Sequence, residues 1–379
     1  MSDLPSVRPR RVPLAIRTLF RDWLRLSISL GGIGFAILLV LLLDGIREGT
    51  VAKSTTYVDH VGADVFAARA GVENMALAAS ALPGDIVDEV ARVDGVQDAS
   101  GILRIPVIVS AGEQRRPVTL IGYDLQAAVG GPWQLEQGRN VEQDNETVID
   151  QALAGELGLK TGDKLEISGS EFTIVGLSGQ TANIAGKNAF LTRQAVQQVL
   201  GIGQIVSFVL VRVKQGTDAK TVAATINEEL PSVTATPRDE LSRNDRNLLS
   251  NLFVAPINVM STLGFLVGLA IIGLTMYTTT AEHMRDFGVL KAIGAPNSFL
   301  FRTVITQASI VGLAGFGAGL LASMVAGPFI VRLVPDIGVT LRPMATIQTL
   351  VAVIGMSLVG AALPVIRIVR VDPLMVFRS

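Results

Sequence analysis

The side chains that enzymes most often use for catalysis are scarce in this sequence. The chain has no cysteine and only two histidines, His60 and His283. Disulfides and cysteine-based zinc or iron–sulfur sites are therefore excluded. No Ser/His/Asp set for nucleophilic catalysis can be assembled, because the pattern of apolar segments separates the two histidines across a membrane. We predict that the chain is not an enzyme and has no catalytic residue, metal site or cofactor.

Two glycine-containing stretches come close to nucleotide-binding motifs but lack their defining features. Gly186-Lys187 has no earlier glycine at the spacing of a phosphate-binding loop, and Asn188 stands where that loop needs Ser or Thr. The stretch "GLAGFGAG" has glycines near dinucleotide spacing, yet it lies inside an apolar run and does not follow a strand. Gly315 and Gly319 instead form a small-x-x-x-small pair, which predicts close packing between membrane helices.

Five titratable side chains lie within ten residues of "AEHMRDFGVLKAIGAPNS", a helix-prone stretch between two very apolar runs. Gly294 and Pro296 are typical helix stop signals at its end. Glu282 and Arg285 are three residues apart, so their opposite charges are expected to meet on the same face of a helix. The charged or titratable residues of this stretch are Glu282, His283, Arg285, Asp286 and Lys291.

An apolar stripe runs through the same stretch. Met284, Phe287 and Leu290 recur every three residues, whereas Val289 and Ile293 fall away from that stripe. A helix with mixed polarity at a membrane surface can contact lipid on one side and protein on the other. Two interpretations stay open on pattern alone: a docking surface for a partner, in which Phe287 and Leu290 are the anchors, or a plain turn.

Four runs without Asp, Glu, Lys or Arg are long enough to cross a bilayer: residues 26–43, 247–281, 303–331 and 343–366. A membrane helix needs about 20 apolar residues. Buried helices of a large soluble core are the alternative, and a cleaved signal peptide is the alternative for the first run. The first run exceeds the usual apolar region of a signal peptide and lacks a small-residue cleavage site, so we interpret it as an uncleaved anchor.

Basic residues near the ends of the runs give the orientation. They precede the first run, follow the second and occur in the tail, so both termini and the loop after the second span are predicted to be cytoplasmic. The predicted order is a cytoplasmic N-terminal amphipathic segment (1–25), a span (26–43), an extracytoplasmic domain with stalk helices (44–246), a stalk end with a span (247–281), a cytoplasmic segment (282–302), a span (303–334), an outer loop (335–342), a span (343–366) and a cytoplasmic tail (367–379).

The long segment between the first two spans reads as an α+β domain. Two parts of it, beginning at residues 63 and 205, each show a strand, an amphipathic helix and a second strand, which predicts two β-α-β units. Between them lie about 100 residues of strand signal with glycine-rich turns, which we interpret as an inserted β-rich lobe. Its charges are scattered, so no basic stripe for nucleic acid is present.

At this point a resemblance becomes specific. The stretch "TTTAEHMRDFGVLKAIGA" resembles the coupling segment of MacB/FtsX-type (type VII) ABC transporter permeases, and the tail "VDPLMVFRS" is similar to the ending of these permeases. "LGGIGFAILLVLLLDGIREG" resembles the first span of the DevC-like branch. The residues that the resemblance places in the ATPase-contact coupling segment are Glu282, Met284, Arg285, Asp286, Phe287, Gly288, Leu290, Lys291 and Gly294.

The resemblance implies an α-helical membrane protein with four transmembrane helices and a large extracytoplasmic MacB-like domain. It also implies a bacterial cytoplasmic (inner) membrane, a separate ABC ATPase subunit, a second permease copy in a homodimer, and contact with membrane lipid, with or without a periplasmic membrane-fusion adaptor. The expected function is export or extraction of a hydrophobic or amphipathic substrate at the outer face. The alternatives are mechanotransmission to an extracytoplasmic partner, as in FtsX-like members, and haem efflux.

Overall fold

The computed structural model describes residues 23–127, 129–181, 186–334 and 337–369. The chain forms two units. The membrane unit contains the described residues up to 45, residues 254–329 and those from 340 onward; the α+β unit contains residues 46–253 and the described part of 330–339. The predicted N-terminal segment up to residue 22 and the tail from residue 370, with its family-like ending, lie outside the described residues.

The helices and strands have the following bounds. The helices are α1 (Trp23–Ser54), α2 (Thr56–His60), α3 (Ile86–Ala91), α4 (Gln151–Leu157), α5 (Arg193–Leu200), α6 (Ala219–Glu229), α7 (Arg238–Glu282), α8 (Met284–Ala292), α9 (Asn297–Leu333) and α10 (Pro343–Val369). The strands are β1 (Val65–Arg69), β2 (Leu82–Pro83), β3 (Val96–Ala111), β4 (Gln114–Tyr123), β5 (Leu135–Gly138), β6 (Glu146–Asp150), β7 (Lys164–Ile167), β8 (Ser170–Ser178), β9 (Lys187–Thr192), β10 (Ile205–Val206), β11 (Phe208–Val213) and β12 (Val233–Pro237).

Four helices of the described chain, α1, α7, α9 and α10, are long and apolar enough to cross a membrane. Each contains one of the four predicted charge-free runs. These sequences are apolar on nearly all sides, so each helix can bury one side in the bundle and expose the other to lipid. The bundle core includes Ile33 and Ile37 of α1, Ile272 of α7, Val304 of α9 and Val353 of α10.

The two predicted β-α-β units interlock in the α+β unit. The first unit runs β1–α3–β3 and the second runs β11–α6–β12. The sheet order β12-β1-β11-β3 places one strand of each unit between the two strands of the other. All three pairings are antiparallel, so the two strands within each unit are parallel, which is the split β-α-β arrangement. Sequence periodicity predicts the units but carries no signal for their interleaving.

The inserted lobe continues the same sheet through β3. This strand has 16 residues: its first half pairs with β11, and its second half pairs with β4 and, at its end, with β7. The sequence predicts an inserted lobe distinct from the two β-α-β units, whereas in the structure one strand is shared by the lobe and the first unit. The lobe has its own core, which includes Leu120, Leu153, Leu165 and Ile174.

The edge strand β12 has its outward-facing backbone covered. The Asn227 side chain on α6 accepts a hydrogen bond from the Ala235 N–H at 2.6 Å and donates one to the Ala235 carbonyl at 3.0 Å. The Val233 N–H donates to the Leu230 carbonyl at 2.9 Å. Pro237 has no N–H. No backbone N–H group of β12 that points away from β1 is therefore unpaired.

The segment after α9 packs closely on the end of α1 that lies in the α+β unit. A Cβ added at Gly338 would lie 2.2 Å from the Gly49 carbonyl oxygen, and one added at Gly49 would lie 2.3 Å from the Gly338 carbonyl carbon. Distances this short are incompatible with any side chain at either position. The two glycines therefore allow a backbone-to-backbone contact that fixes this segment on α1.

Candidate functional site

The predicted coupling segment, residues 282–302, lies at a break between two long helices. α7 ends at Glu282, and the His283 N–H and ring Nδ1 lie 3.2 and 2.9 Å from the Thr279 carbonyl. The short helix α8 follows and ends at Ala292. Gly294 adopts a φ of 95°, a left-handed conformation that favours glycine, and this ends the segment as the sequence predicts. The chain then enters α9 at Asn297.

Phe287 is buried within the membrane unit. Its side chain is 5% exposed and belongs to the same buried cluster as Met276 of α7 and Leu300 and Val304 of α9. Leu290 packs partly against that cluster. The expectation that Phe287 is an exposed anchor is therefore corrected, because the chain's own helices cover it, whereas Leu290 is only partly covered and its contact with a partner stays a prediction. The period-three stripe that suggested a docking face is the face that α8 turns inward.

The exposed apolar side chains of this region are the ones outside the stripe. Ile293 is 76% exposed, Val289 is 43% exposed, and Phe299, at the start of α9, is 46% exposed. The structure places the predicted contact residues as follows: Glu282, Arg285, Asp286 and Gly294 are exposed, Met284, Leu290 and Lys291 are partly buried, and Phe287 and Gly288 are buried. The segment therefore combines a polar exposed face with a small apolar patch formed by Val289 and Ile293.

Gly315 and Gly319 of α9 face α1. A Cβ at Gly315 would lie 2.5 Å from Ile33 Cγ2, and one at Gly319 would lie 2.6 Å from the Gly34 carbonyl oxygen. The close approach that the sequence predicts is thus a contact between these two glycines and the Gly34 region of α1. Gly34 carried no sequence signal of this role, because its partner lies nearly 300 residues away in the chain.

A side-chain hydrogen bond joins α1 and α7 inside the membrane unit. Ser29 Oγ and Thr275 Oγ1 are 2.7 Å apart and buried. Thr278 instead donates to the Leu274 carbonyl of its own helix at 3.0 Å. Thr275 therefore joins two helices, whereas Thr278 bonds within its own helix. Such interhelical bonds hold membrane helices in a fixed register.

In the α+β unit, Asp59 joins the segment that follows the first span to the segment that precedes the second. Its carboxylate accepts hydrogen bonds from Ser242 Oγ at 2.5 Å, from Thr55 Oγ1 at 2.8 Å and from Arg246 Nη2 at 2.9 Å. Burial opposes the charged form, but the hydrogen bonds from Ser242 and Thr55 and the charge of Arg246 outweigh it, so the pKa of Asp59 lies below its ordinary value. We call these four residues the Asp59 joint.

Neighbouring side chains fix the same helix ends to the body of the α+β unit. Asp245 of α7 accepts hydrogen bonds from the N–H groups of Met75 and Ala76 at 2.8 and 3.0 Å. The Tyr57 hydroxyl on α2 donates to the Gly130 carbonyl at 3.0 Å. Burial raises the pKa of Tyr57 far above its ordinary value, so the hydroxyl remains a donor. The first turns of α7 and the whole of α2 are therefore held by the unit.

Both histidines are engaged locally. His60 Nδ1 lies 2.8 Å from the Thr56 carbonyl, and the imidazole stacks on Trp133 with ring centroids 5.8 Å apart. His283 lies at the end of α7 with its ring against the Thr279 carbonyl. Within the part of the chain that the structure describes, no group of three or more His, Asp or Glu residues is placed to hold a metal ion.

Two family models match the chain. The model described as MacB-like periplasmic core domain matches residues 26–229, which is more than half of the chain. The model described as FtsX-like permease C-terminal matches residues 258–373. The first model covers most of α1 and most of the α+β unit, and the second covers α7 from residue 258 together with α8, α9 and α10.

Curated proteins give matches of the same kind. An ABC transporter permease of Mycobacterium tuberculosis, Rv2563, is 27% identical over 93% of this chain and 95% of its own length. An ABC transporter permease of Methanocaldococcus jannaschii, MJ1507, is 25% identical over 54% of each chain. A putative hemin transport system permease protein, HrtB, of Staphylococcus epidermidis is 18% identical over 63% of this chain and 65% of its own.

Solved structures match about half of the chain at low sequence identity. The periplasmic region of MacB from Actinobacillus actinomycetemcomitans is 13% identical, with a TM-score of 0.39 over 51% of this chain and 97% of that one. The extracellular domain of the ABC-type transporter YknZ from Gram-positive bacteria is also 13% identical, with a TM-score of 0.35 over 46% of this chain and all of that one. From the two family models and the four apolar helices, the chain belongs to the MacB- and FtsX-like ABC transporter permeases.

Proposed function

We propose that this permease couples ATP hydrolysis on a separate ATPase subunit to export or extraction of an amphipathic substrate at the outer face of the membrane. In this proposal two copies of the chain lie in a bacterial inner membrane, with the termini and α8 in the cytoplasm and the α+β unit outside. Membership of the permease family supports the proposal. Placement in the DevC-like branch stays a prediction.

The observation that carries the proposal is that α7 begins in the α+β unit and ends in the membrane unit. This single helix of 45 residues begins at Arg238 in the α+β unit and ends at Glu282 beside α8. A helix of that length spans about 65 Å at 1.5 Å per residue. The Asp59 joint fixes its first turns, and the short α8 follows its last residue. Pro256 lies inside this helix and has no N–H, so a push on α8 would be transmitted along a helix with one missing backbone hydrogen bond.

The burial pattern assigns the parts of the segment different roles in this proposal. Phe287 anchors α8 to α7 and α9, so that α8 moves with the helices that it touches. The exposed patch of Val289 and Ile293 supplies the apolar contact with the ATPase subunit. The charges of Arg285 and Asp286 surround that patch, where charges set orientation and association rate more than affinity.

The test is the paired substitution Val289→Ala and Ile293→Ala. The purified permease in lipid nanodiscs is mixed with its ATPase subunit, and both co-purification and permease-stimulated ATP hydrolysis are measured. We expect weaker association and lower stimulation, because a few apolar anchors usually dominate such an interface. Val351→Ala is the matched control, since Val351 is similarly exposed at 63% but lies on α10, away from the segment.

Unchanged association and hydrolysis in the double variant would refute the contact. That outcome would mean that the bilayer interface, rather than a protein, covers Val289 and Ile293. A loss of association in the Val351→Ala control as well would show a general effect of removing apolar surface and would also count against the proposal.

Mechanotransmission is a second candidate, and the Asp59 joint favours it. The joint ties the two segments that link the α+β unit to the first two spans, as a transmission of motion without transport would require. A cross-linked joint separates the two functions. If the permease without the cross-link activates an extracytoplasmic partner without releasing substrate, and a disulfide between Ser242→Cys and Thr55→Cys stops that ATP-dependent activation, the second candidate is correct.

A further inference from the structure

The α+β unit contains a polar cleft of about 750 Å³ at the place where β4 and β9 end. These strands are parallel neighbours with Tyr123 opposite Thr192, so their carboxyl ends open at the same edge of the sheet. Ligand crevices of α/β proteins commonly lie outside the carboxyl ends of parallel strands. The walls of the cleft are residues 124–126, the first turns of α5 and residues 201–204. We call it the β4–β9 cleft.

Side-chain amides dominate the lining of the β4–β9 cleft. Each amide presents an acceptor and two donors in one plane. Together they match a ligand that also alternates hydrogen-bond donors and acceptors. The glutamines of the lining that are exposed, and whose side chains form no hydrogen bond with a residue that the structure describes, are Gln126, Gln194, Gln198 and Gln204.

The charges of the lining are few and mostly balanced. Arg193 Nη2 lies 3.4 Å from Asp124 Oδ2, so these two charges form an ion pair. Asp144 is exposed and accepts a hydrogen bond from the Thr192 hydroxyl, and no described Lys or Arg pairs with its carboxylate. This arrangement disfavours an anionic ligand and favours a neutral chain that carries a basic group near Asp144.

The apolar side chains of the cleft separate a polypeptide from a glycan or a nucleic acid. Nucleobases bind on exposed aromatic rings, and sugar rings commonly do the same. Tyr123 is the one aromatic residue among the described residues that line the cleft, and it is only 4% exposed. The lining instead offers aliphatic surface, because Leu125 is 41% exposed and Ile202 is partly buried. Such surface suits an aliphatic side chain of a peptide.

We propose that the β4–β9 cleft binds an extended polypeptide segment of a protein partner. The backbone amides of the segment pair with the glutamine amides, an aliphatic side chain packs on Leu125 and Ile202, and a Lys or Arg side chain lies beside Asp144. In this kind of recognition the backbone hydrogen bonds supply affinity and the side-chain contacts supply specificity. The proposal goes beyond the proposed function, because binding requires neither the ATPase subunit nor a transported substrate.

The test begins with selection from a phage-displayed library of short random peptides. The target is the full-length permease in phosphatidylcholine nanodiscs, without ATPase or nucleotide, and phage that bind empty nanodiscs are removed first. The enriched peptides are synthesised, and their dissociation constants are measured for the unsubstituted permease and for its variants. Chitin oligosaccharides are measured in parallel as the glycan probe.

Two tryptophan substitutions make a matched pair. Gly203→Trp places an indole in the cleft, because Gly203 belongs to the lining and a Cβ there would have no neighbour within 4 Å. Gly155→Trp is the control, since a Cβ at Gly155 also has no neighbour within 4 Å, but this residue lies on α4 and does not line the cleft. Both variants should unfold at the temperature of the unsubstituted permease.

The enriched peptides should bind the unsubstituted permease and the Gly155→Trp variant equally, and the Gly203→Trp variant at least about tenfold more weakly. The double variant Gln194→Leu and Gln198→Leu keeps the size of both side chains and should also weaken binding by about tenfold, because the peptide loses its amide partners. Asp144→Asn should weaken a peptide that contains Lys, and should have no effect once that Lys is replaced by Met.

Four outcomes overturn the proposal. No enrichment over empty nanodiscs shows that the permease does not bind such peptides. Equal binding to the Gly203→Trp variant and the unsubstituted permease places the peptides elsewhere, and equal weakening in both tryptophan variants shows a general effect of the indole. Binding of chitin oligosaccharides that Gly203→Trp abolishes assigns the cleft to a glycan. None of these results depends on whether α8 contacts an ATPase subunit, so the proposed function is tested separately.

Discussion

At the scale of single residues, exposure rather than residue type decides which part of the coupling segment can meet a partner. The sequence correctly indicates a helix, its stop at Gly294 and an apolar stripe. It could not indicate whether the stripe is buried, because the residues that cover it include Leu300 and Val304. These two residues belong to α9 and not to the short helix that carries the stripe. An aromatic ring on a short interfacial helix can serve the bundle or a partner, and only the packing distinguishes them.

The buried position of Phe287 leads to a stability prediction. Phe287→Ala should destabilise the membrane unit by about 3–5 kcal/mol, the usual range for a buried aromatic replaced by alanine, because it leaves a void among Met276, Leu300 and Val304. Thermal unfolding of the detergent-solubilised permease, followed by the monodisperse fraction, measures this change.

The matched variant is Ile293→Ala, which removes an exposed side chain of the same segment. It should leave the unfolding temperature unchanged, since the position is 76% exposed. If both variants unfold at the temperature of the unsubstituted chain, Phe287 is not a packing residue, and the original interpretation of it as a partner anchor regains support.

At the scale of elements, two sequence patterns were informative in different degrees. The four apolar runs correspond to four long helices because length and hydropathy alone specify such segments. The β-α-β units follow from strand and helix periodicity. The interleaving of the two units and the shared strand β3 do not follow from periodicity. The strand order depends on the pairing of β1 with β11 and β12, which lie more than 100 residues later in the chain.

The contact between α1 and α9 gives an element-scale prediction. Gly319→Leu should reduce the yield of folded permease, because any side chain there meets the Gly34 carbonyl and Ile37. Gly317→Leu is the control on the same helix, since a Cβ at Gly317 would have no neighbour within 4 Å. Size-exclusion chromatography of both variants, at matched expression, measures the folded fraction.

Equal yields of the Gly319→Leu and Gly317→Leu variants would show that α1 and α9 can separate without loss of structure. A lower yield for both would show only that leucine is poorly tolerated in α9. The prediction requires the difference between them, because the two substitutions add the same side chain and differ in what that side chain meets.

At the scale of the whole molecule, the absence of cysteine makes the proposed orientation directly testable. Gln143→Cys lies in the α+β unit, and Ser298→Cys lies at the start of α9, where both positions are exposed. In intact cells, an impermeant thiol reagent should label the first variant and not the second. Labelling of Ser298→Cys, or labelling of Gln143→Cys only after the cells are opened, would contradict the proposed orientation.

The covered edge at β12 has a consequence for how the α+β unit can associate. A bare sheet edge acts as a template on which another chain can add a strand, and this is a route to aggregation. Here Asn227 occupies the Ala235 backbone groups, Leu230 accepts from Val233, and Pro237 offers no donor. The sheet is therefore finite at this edge, and a partner or a second copy must recognise the unit through side-chain surfaces there rather than by extending its strands.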